Sequence, residues 1–183
     1  KYFIVELICS LSFVLVFYLF GFSLTTLLFF ILSIFFVIIF FIDLKHFIIP
    51  NQLTFPLMAI GFFKTFNPNL NQYFFPNLID SMIGGVVGYS IIWIIIFAYK
   101  KLRKKEGMGL GDAKLLSAIG FWFGWISIPF ILFFSSFIAL AYALPSLLNK
   151  SKNMSSSIPY GPYLVLGCVL YLLLLQQIVL YSN

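Results

Sequence analysis

Two aspartates are the residues of this chain best suited to chemistry. The 183 residues include only five acidic side chains, and Asp43 and Asp112 each stand at the border of a long apolar segment. A charged side chain within a membrane helix costs about 2.5–3.5 kcal/mol on insertion scales, so a functional role is the default expectation. Two carboxyls brought close together share a proton: the ionised one can activate water while the protonated one hydrogen-bonds a carbonyl. The pair therefore suggests aspartic-protease chemistry, which needs no metal and no other cofactor.

A glycine-rich stretch leads into the second aspartate. Gly107, Gly109 and Gly111 occupy every second position before Asp112, where they leave the backbone free and allow another segment to come close. A simpler interpretation is a loop followed by an aspartate that caps a helix. A further alternative is that each aspartate pairs with the lysine two residues beyond it, Lys45 or Lys114 in the sequence. The spacing leaves these alternatives open.

The composition places the aspartates in a membrane protein. Hydrophobic residues make up 62% of the chain and charged residues 9%, against about 45–50% and 25% in soluble domains. We therefore expect an all-α, polytopic transmembrane bundle that forms a single membrane-embedded domain over residues 1–183. The apolar runs predict about seven spans, at roughly 3–20, 23–43, 51–66, 77–99, 112–125, 127–148 and 160–181.

The basic residues predict the orientation of this bundle. A cytoplasmic N-terminus puts ten of the eleven Lys and Arg residues on the cytoplasmic side and leaves only Lys64 outside. In that topology Asp43 and Asp112 both lie at the cytoplasmic border. The net charge of +6 then reports topology rather than binding to nucleic acid.

Other residues have more ordinary interpretations. Gly84, Gly85 and Gly88 share a stripe of the fourth span, and small residues at this spacing predict close helix packing. His46, three residues after Asp43, is interpreted as an interfacial side chain, although it could tune the carboxylates. The role of Glu6 stays open.

Four blocks of the sequence resemble the type IV prepilin peptidase family. Gly109-Leu110-Gly111-Asp112 is similar to the Gly-x-Gly-Asp signature of membrane aspartyl proteases. The resemblance continues over residues 2–13, 43–56, 107–125 and 158–163. It implies that Asp43 and Asp112 are the catalytic pair. The resemblance further implies that Gly107, Gly109, Gly111 and Lys114 support the motif around Asp112. It also implies substrate contacts at Pro50, Asn51, Pro159 and Gly161. Asn51 stands where many family members have Asp.

The resemblance also implies a substrate and a location. The expected activity removes short basic leaders from type IV prepilins and type II secretion pseudopilins at the cytoplasmic face of the bacterial inner membrane. Larger members have an additional first span and a cytoplasmic domain with two Cys-x-x-Cys pairs. This sequence contains neither and is expected to be truncated or naturally short, so N-methylation of the product is in doubt. The alternatives are an archaeal-type preflagellin peptidase, a small proton-coupled transporter that uses the same carboxylates, and a non-catalytic membrane scaffold.

Overall fold

The chain folds into α-helices connected by short segments. The computed structural model describes residues 2–67, 70, 74–103, 109–148 and 159–182. Within these ranges there is no β-strand, which confirms the all-α prediction. The helices are α1 (Tyr2–Phe20), α2 (Leu24–His46), α3 (Asn51–Phe63), α4 (Leu78–Arg103), α5 (Leu110–Phe123), α6 (Ser127–Leu148) and α7 (Gly161–Ser182), and a 3-10 turn, Lys64–Phe66, follows α3.

Five of these helices are long and apolar enough to cross a membrane, namely α1, α2, α4, α6 and α7. The chain is therefore a multi-pass membrane protein. The other two, α3 and α5, contain 13 and 14 residues. A helix of that length extends for about 20 Å, which is less than the hydrocarbon core of about 30 Å. The prediction of about seven spans thus corresponds to five helices long enough to cross a membrane and two short ones.

The short helix α5 forms the centre of the bundle. Ten of its fourteen residues are buried, and it packs against α3, α4, α6 and α7. The closest approach is to α4, where the backbones of Gly84 and Gly120 touch. A methyl group added at Gly88 would lie 2.6 Å from the carbonyl oxygen of Leu116. These contacts confirm the predicted packing role of the glycine stripe.

Hydrogen bonds between buried groups reinforce this centre. The hydroxyl of Ser117 donates to the carbonyl oxygen of Gly85 across the α4–α5 contact, at 2.8 Å. The indole Nε1 of Trp122 donates to the carbonyl oxygen of Leu57 in α3, also at 2.8 Å. Such bonds strengthen helix contacts where no water is present to compete. They hold α5 in place against two neighbouring helices.

The bundle has two distinct ends. At one end, which we call the aspartate end, α2 finishes while α3, α5 and α7 begin. At the other, which we call the distal end, α3 and α5 finish and α4 begins. Gly124, with a φ of 77°, ends α5 there and lies next to Pro76. Both candidate aspartates consequently lie at the same end of the molecule.

Candidate functional site

Asp43 lies in the last turn of α2 and is 4% exposed. Its Oδ2 accepts a hydrogen bond of 3.0 Å from the backbone N–H of Gly161, the first residue of α7. The N-terminus of a helix carries partial positive charge, and a backbone N–H donated to a carboxyl favours its ionised form. The start of α7 therefore provides a site that stabilises a negative charge on Asp43.

Asp112 lies in the first turn of α5, outside the five long helices, and is 7% exposed. Burial is the main reason that its pKa is raised from 3.8 to about 7, and the negative charge of Asp43 raises it further. A backbone hydrogen bond with Gly109 acts in the opposite direction. The two carboxyls thus interact electrostatically within a buried environment.

The simpler interpretations of Asp112 do not match the structure. The N-cap of α5 is Gly109, so Asp112, the third residue of the helix, is not the N-cap itself, although its carboxyl interacts with the backbone of Gly109. Lys114 does not turn towards the carboxyl: its Nζ donates to Oδ1 of Asn51 at 2.7 Å and lies 5.5 Å from the ring centroid of Phe55. This bond instead connects the starts of α3 and α5.

A tight turn after α2 closes the site from one side. Phe47 has a φ of 57°, and its N–H donates to the carbonyl oxygen of Asp43 at 2.9 Å. Such a conformation is rare for a bulky residue. The turn directs Ile49 towards two glycines. A methyl group added at Gly111 would lie 3.0 Å from the Cβ of Ile49, and one added at Gly161 would lie 2.9 Å from its Cδ1. Ile49 was not among the predicted residues, although Gly111 was expected to allow another segment to come close.

The remaining predicted residues occupy the same end of the bundle. Pro50 is the N-cap of α3, and Asn51, which follows it, is exposed and bonded to Lys114. Pro159 is half-buried just before α7. Gly107 lies outside the described residues. The structure therefore gathers Pro50, Asn51 and Pro159 around the segments that carry the two aspartates.

The other candidate polar residues do not join this group. His46 ends α2 as an exposed side chain, and Glu6 is exposed on α1. Asp80 lies at the distal end, where its Oδ1 accepts a hydrogen bond of 3.1 Å from Nε1 of Trp125. Among these acidic residues, Asp43 and Asp112 are the pair that the fold buries together.

Fold and site together define a class: a multi-pass helical membrane protein with two buried, interacting carboxyls at one end of its bundle. Comparison with known proteins gives the family. The model described as "Type IV leader peptidase family" matches residues 29–144, which include both aspartates. The chain belongs to this family.

Curated relatives agree with this assignment. A prepilin leader peptidase/N-methyltransferase of Aeromonas salmonicida is 40% identical over 127 residues, which cover 69% of this chain and 42% of the relative. A protein of the same name from Escherichia coli K12 is 37% identical over 131 residues, or 72% and 56% of the two chains. The Escherichia coli leader peptidase HopD is 34% identical over 131 residues, or 70% and 80%. The chain spans about half the length of the first of these relatives, and no solved structure matches it significantly.

Proposed function

We propose that this chain is a membrane aspartic endopeptidase that removes the short basic leader from type IV prepilins and type II secretion pseudopilins. The observation that carries the proposal is the burial of Asp43 and Asp112 at one end of the bundle, where the charge of one acts on the other. The names of the relatives support the class of substrate.

In the proposed mechanism the two aspartates have different roles. Asp43 is the ionised member: burial disfavours its charge, but the N–H that it accepts from Gly161 at the start of α7 offsets part of that cost. Asp112 is the protonated member, since burial and the charge of Asp43 raise its pKa to about 7. Asp43 takes a proton from a water molecule held between them, and the resulting hydroxide attacks the scissile carbonyl, which Asp112 polarises by a hydrogen bond. The tetrahedral intermediate collapses when Asp43 passes the proton taken from water to the leaving amine, which returns both carboxyls to their starting states.

The proposed topology places this chemistry where the substrate would present its bond. With the N-terminus in the cytoplasm, the aspartate end lies at the cytoplasmic border of the inner membrane, beside the junction between a polar leader and an apolar helix. The leader and the cytoplasmic loops are both basic, so net charge cannot attract the substrate. Anionic lipids can attract both, and packing against the bundle would then hold the apolar helix. The proposal covers leader removal by a single domain over residues 1–183 and does not extend to N-methylation.

The test is cleavage by the purified full chain reconstituted in lipid. The substrate is a synthetic precursor with a basic leader followed by an apolar helix. We expect Asp43→Asn and Asp112→Asn each to reduce the rate by about 10²- to 10⁴-fold, the usual contribution of a positioned acid or base. Glu6→Gln, which removes an exposed carboxylate, serves as the control and should cleave normally.

Two results would overturn the proposal. One is leader removal at the normal rate by either aspartate variant while the variant remains folded. The other is a wild-type chain that cleaves no leader but carries protons across liposomes in a manner that depends on Asp43, as expected of a transporter.

A further inference from the structure

The distal end contains a cavity that the proposed chemistry does not use. Its volume is about 460 Å³, within the range typical of small-molecule sites. The described residues that line it come from the 3-10 turn after α3, the segment before α4 and the first turn of α4: Lys64, Thr65, Asn67, Leu70, Phe75, Pro76, Asn77, Leu78 and Asp80. The cavity thus lies at the opposite end of the bundle from Asp43 and Asp112.

Lys64 gives this cavity an unusual cation. It is 6% exposed, and within the described ranges its Nζ has no hydrogen-bond partner. The Nζ lies 4.6 Å from the ring centroid of Phe75 and 5.9 Å from that of Trp122. Ring contacts of this kind offset only part of the cost of burying an ammonium, and burial lowers the pKa of Lys64 to about 7. An anion beside the Nζ would supply the missing partner.

A second positive feature lies in the same wall. The 26-residue helix α4 begins at Leu78, and its first turn lines the cavity. Asn77 caps this helix, because its Oδ1 accepts the N–H of Asp80 at 2.8 Å. The N-terminus of a helix favours a phosphate group. Lys64 and the start of α4 together are suited to a phosphate.

The wall also carries a carboxylate. Asp80 is partly exposed and lines the cavity, while its Oδ1 accepts the bond from Trp125. A carboxylate beside an isolated phosphate would repel it, whereas a ligand with a phosphate and a primary ammonium could satisfy both charges. A primary ammonium has three N–H donors for Asp80, which a quaternary ammonium lacks.

We propose that the distal cavity binds a phosphoethanolamine group, with its phosphate on Lys64 and the start of α4 and its ammonium on Asp80. The bilayer around a multi-pass protein supplies this group as a lipid headgroup, and free phosphoethanolamine is the other possible source. Binding requires the end of the Lys64 side chain to rotate from the two rings towards the cavity. The site is independent of leader cleavage at the aspartate end.

The experiment measures the Tm of the purified full chain in detergent micelles with added lipid. Phosphatidylethanolamine should raise the Tm by about 5 °C relative to phosphatidylcholine, because a ligand that binds the native state stabilises it. Lys64→Met and Asp80→Asn should each abolish this difference. Lys101→Met is the matched control: it removes an exposed lysine from the other end of α4 and should keep the full shift. Lys64→Met should remain folded, since it replaces an unpaired buried cation with an apolar side chain of similar length.

Each outcome decides the question. A shift produced by phosphatidylethanolamine that depends on both Lys64 and Asp80 supports the site. An equal shift in Tm with phosphatidylglycerol overturns the proposal. So does a phosphatidylethanolamine shift that survives in Lys64→Met or Asp80→Asn, or the absence of any shift in the wild type. With the lipid shift established, an arm with soluble phosphoethanolamine identifies the source: an equal shift shows that the headgroup alone is sufficient, and no shift shows that the acyl chains are required.

Discussion

At the scale of single residues, Asp43 and Asp112 have different surroundings although both are buried. Asp43 accepts an N–H from the first residue of a long helix. Asp112 is desolvated and lies within the field of a second negative charge. Burial disfavours a charge on both carboxyls, and each also has a backbone hydrogen bond, with Gly161 and Gly109 respectively. The difference is that Asp112 also experiences the charge of Asp43, so Asp112 holds its proton while Asp43 is ionised, and the two can divide the roles of base and acid.

The first prediction concerns the dependence of cleavage on pH. Asp112 must keep its proton to polarise the carbonyl, and its pKa is raised to about 7. The rate should therefore fall as the pH rises above about 7, with a separate fall in acid where Asp43 becomes protonated. The measurement is kcat/KM for leader cleavage between pH 4 and 9. A rate that continues to rise through pH 9 would exclude Asp112 as the acid.

The second prediction concerns the effect of Asp112 on the stability of the folded chain. A carboxyl whose pKa is 3.8 in the unfolded chain and about 7 in the folded chain binds its proton more tightly when folded. The contribution of Asp112 to the free energy of unfolding should consequently decrease as the pH rises from about 4 to about 7 and then level off. Asp112→Asn removes this dependence and should be more stable than the wild type at pH 8, by about 2–4 kcal/mol. Unfolding in denaturant at pH 4 and pH 8 measures the difference, and a less stable variant at pH 8 would contradict the prediction.

The third prediction compares two glycines that accompany the aspartates. A methyl group at Gly161 would lie 2.7 Å from Oδ2 of Asp43, whereas one at Gly109 would lie no closer than 3.8 Å to its nearest neighbour, Oδ2 of Asp112. Gly161→Ala should displace Asp43 and reduce kcat by at least about 10-fold, since small displacements of reacting groups are costly. Gly109→Ala is the comparison: its methyl group meets no close neighbour, so it should reduce kcat less than Gly161→Ala does. Equal effects of the two substitutions would show that Asp43 does not depend on this contact.

Much of the site was predictable at this scale, because acidic residues are rare in an apolar chain and Asp43 and Asp112 are therefore conspicuous. The N–H of Gly161 was not predictable as a partner of Asp43, because it depends on how α7 packs beside the end of α2. Nor was Ile49, whose role follows from the unusual backbone of Phe47.

At the scale of elements, the contact between α4 and α5 determines where Asp112 lies. The two backbones touch at Gly84 and Gly120, and Ser81 donates its hydroxyl hydrogen to the carbonyl oxygen of Phe121 at 2.6 Å. A short helix buried on most of its sides has little freedom to shift. The glycine stripe on α4 is thus a structural requirement for the site.

The fourth prediction tests this contact. Gly84→Leu should force α4 and α5 apart and reduce both the Tm and leader cleavage, because the obstacle is backbone that cannot move aside. Val86→Leu introduces the same side chain two residues away, at a position that is 62% exposed, and should leave both unchanged. The measurements are the Tm of the purified variants and their rates of cleavage. Normal behaviour of Gly84→Leu would contradict the close packing described here.

Helices were easier to predict than their ends. The apolar runs predicted seven spans, with the third and fifth short, and the corresponding helices α3 and α5 are too short to cross a bilayer alone. The predicted segment extends to Trp125, whereas α5 ends at Phe123, where Gly124 adopts a positive φ. At the other end of α5 the helix begins at Leu110, so Asp112 lies inside the first turn.

At the scale of the whole molecule, the bundle separates two chemically different ends. The aspartate end contains the buried carboxyls, and the distal end contains the buried Lys64 and its cavity. The distribution of basic residues predicts that the aspartate end faces the cytoplasm.

The fifth prediction tests this orientation. Single cysteines at Lys101 and Asn77, both exposed and at opposite ends of α4, are introduced after the two native cysteines are replaced by alanine. A membrane-impermeant maleimide applied to intact spheroplasts should label the cysteine at position 77 and not that at position 101, and lysis should expose the latter. The reverse pattern would place the aspartates on the outer face.

The most direct measurement is leader cleavage by the wild type, Asp43→Asn, Asp112→Asn and the double variant under identical conditions. If the two carboxyls act on one water molecule as a unit, each single variant should fall to the same residual rate as the double variant, because groups that act together give strongly non-additive losses. Losses that multiply independently, or a single variant that retains substantial cleavage, would contradict the account.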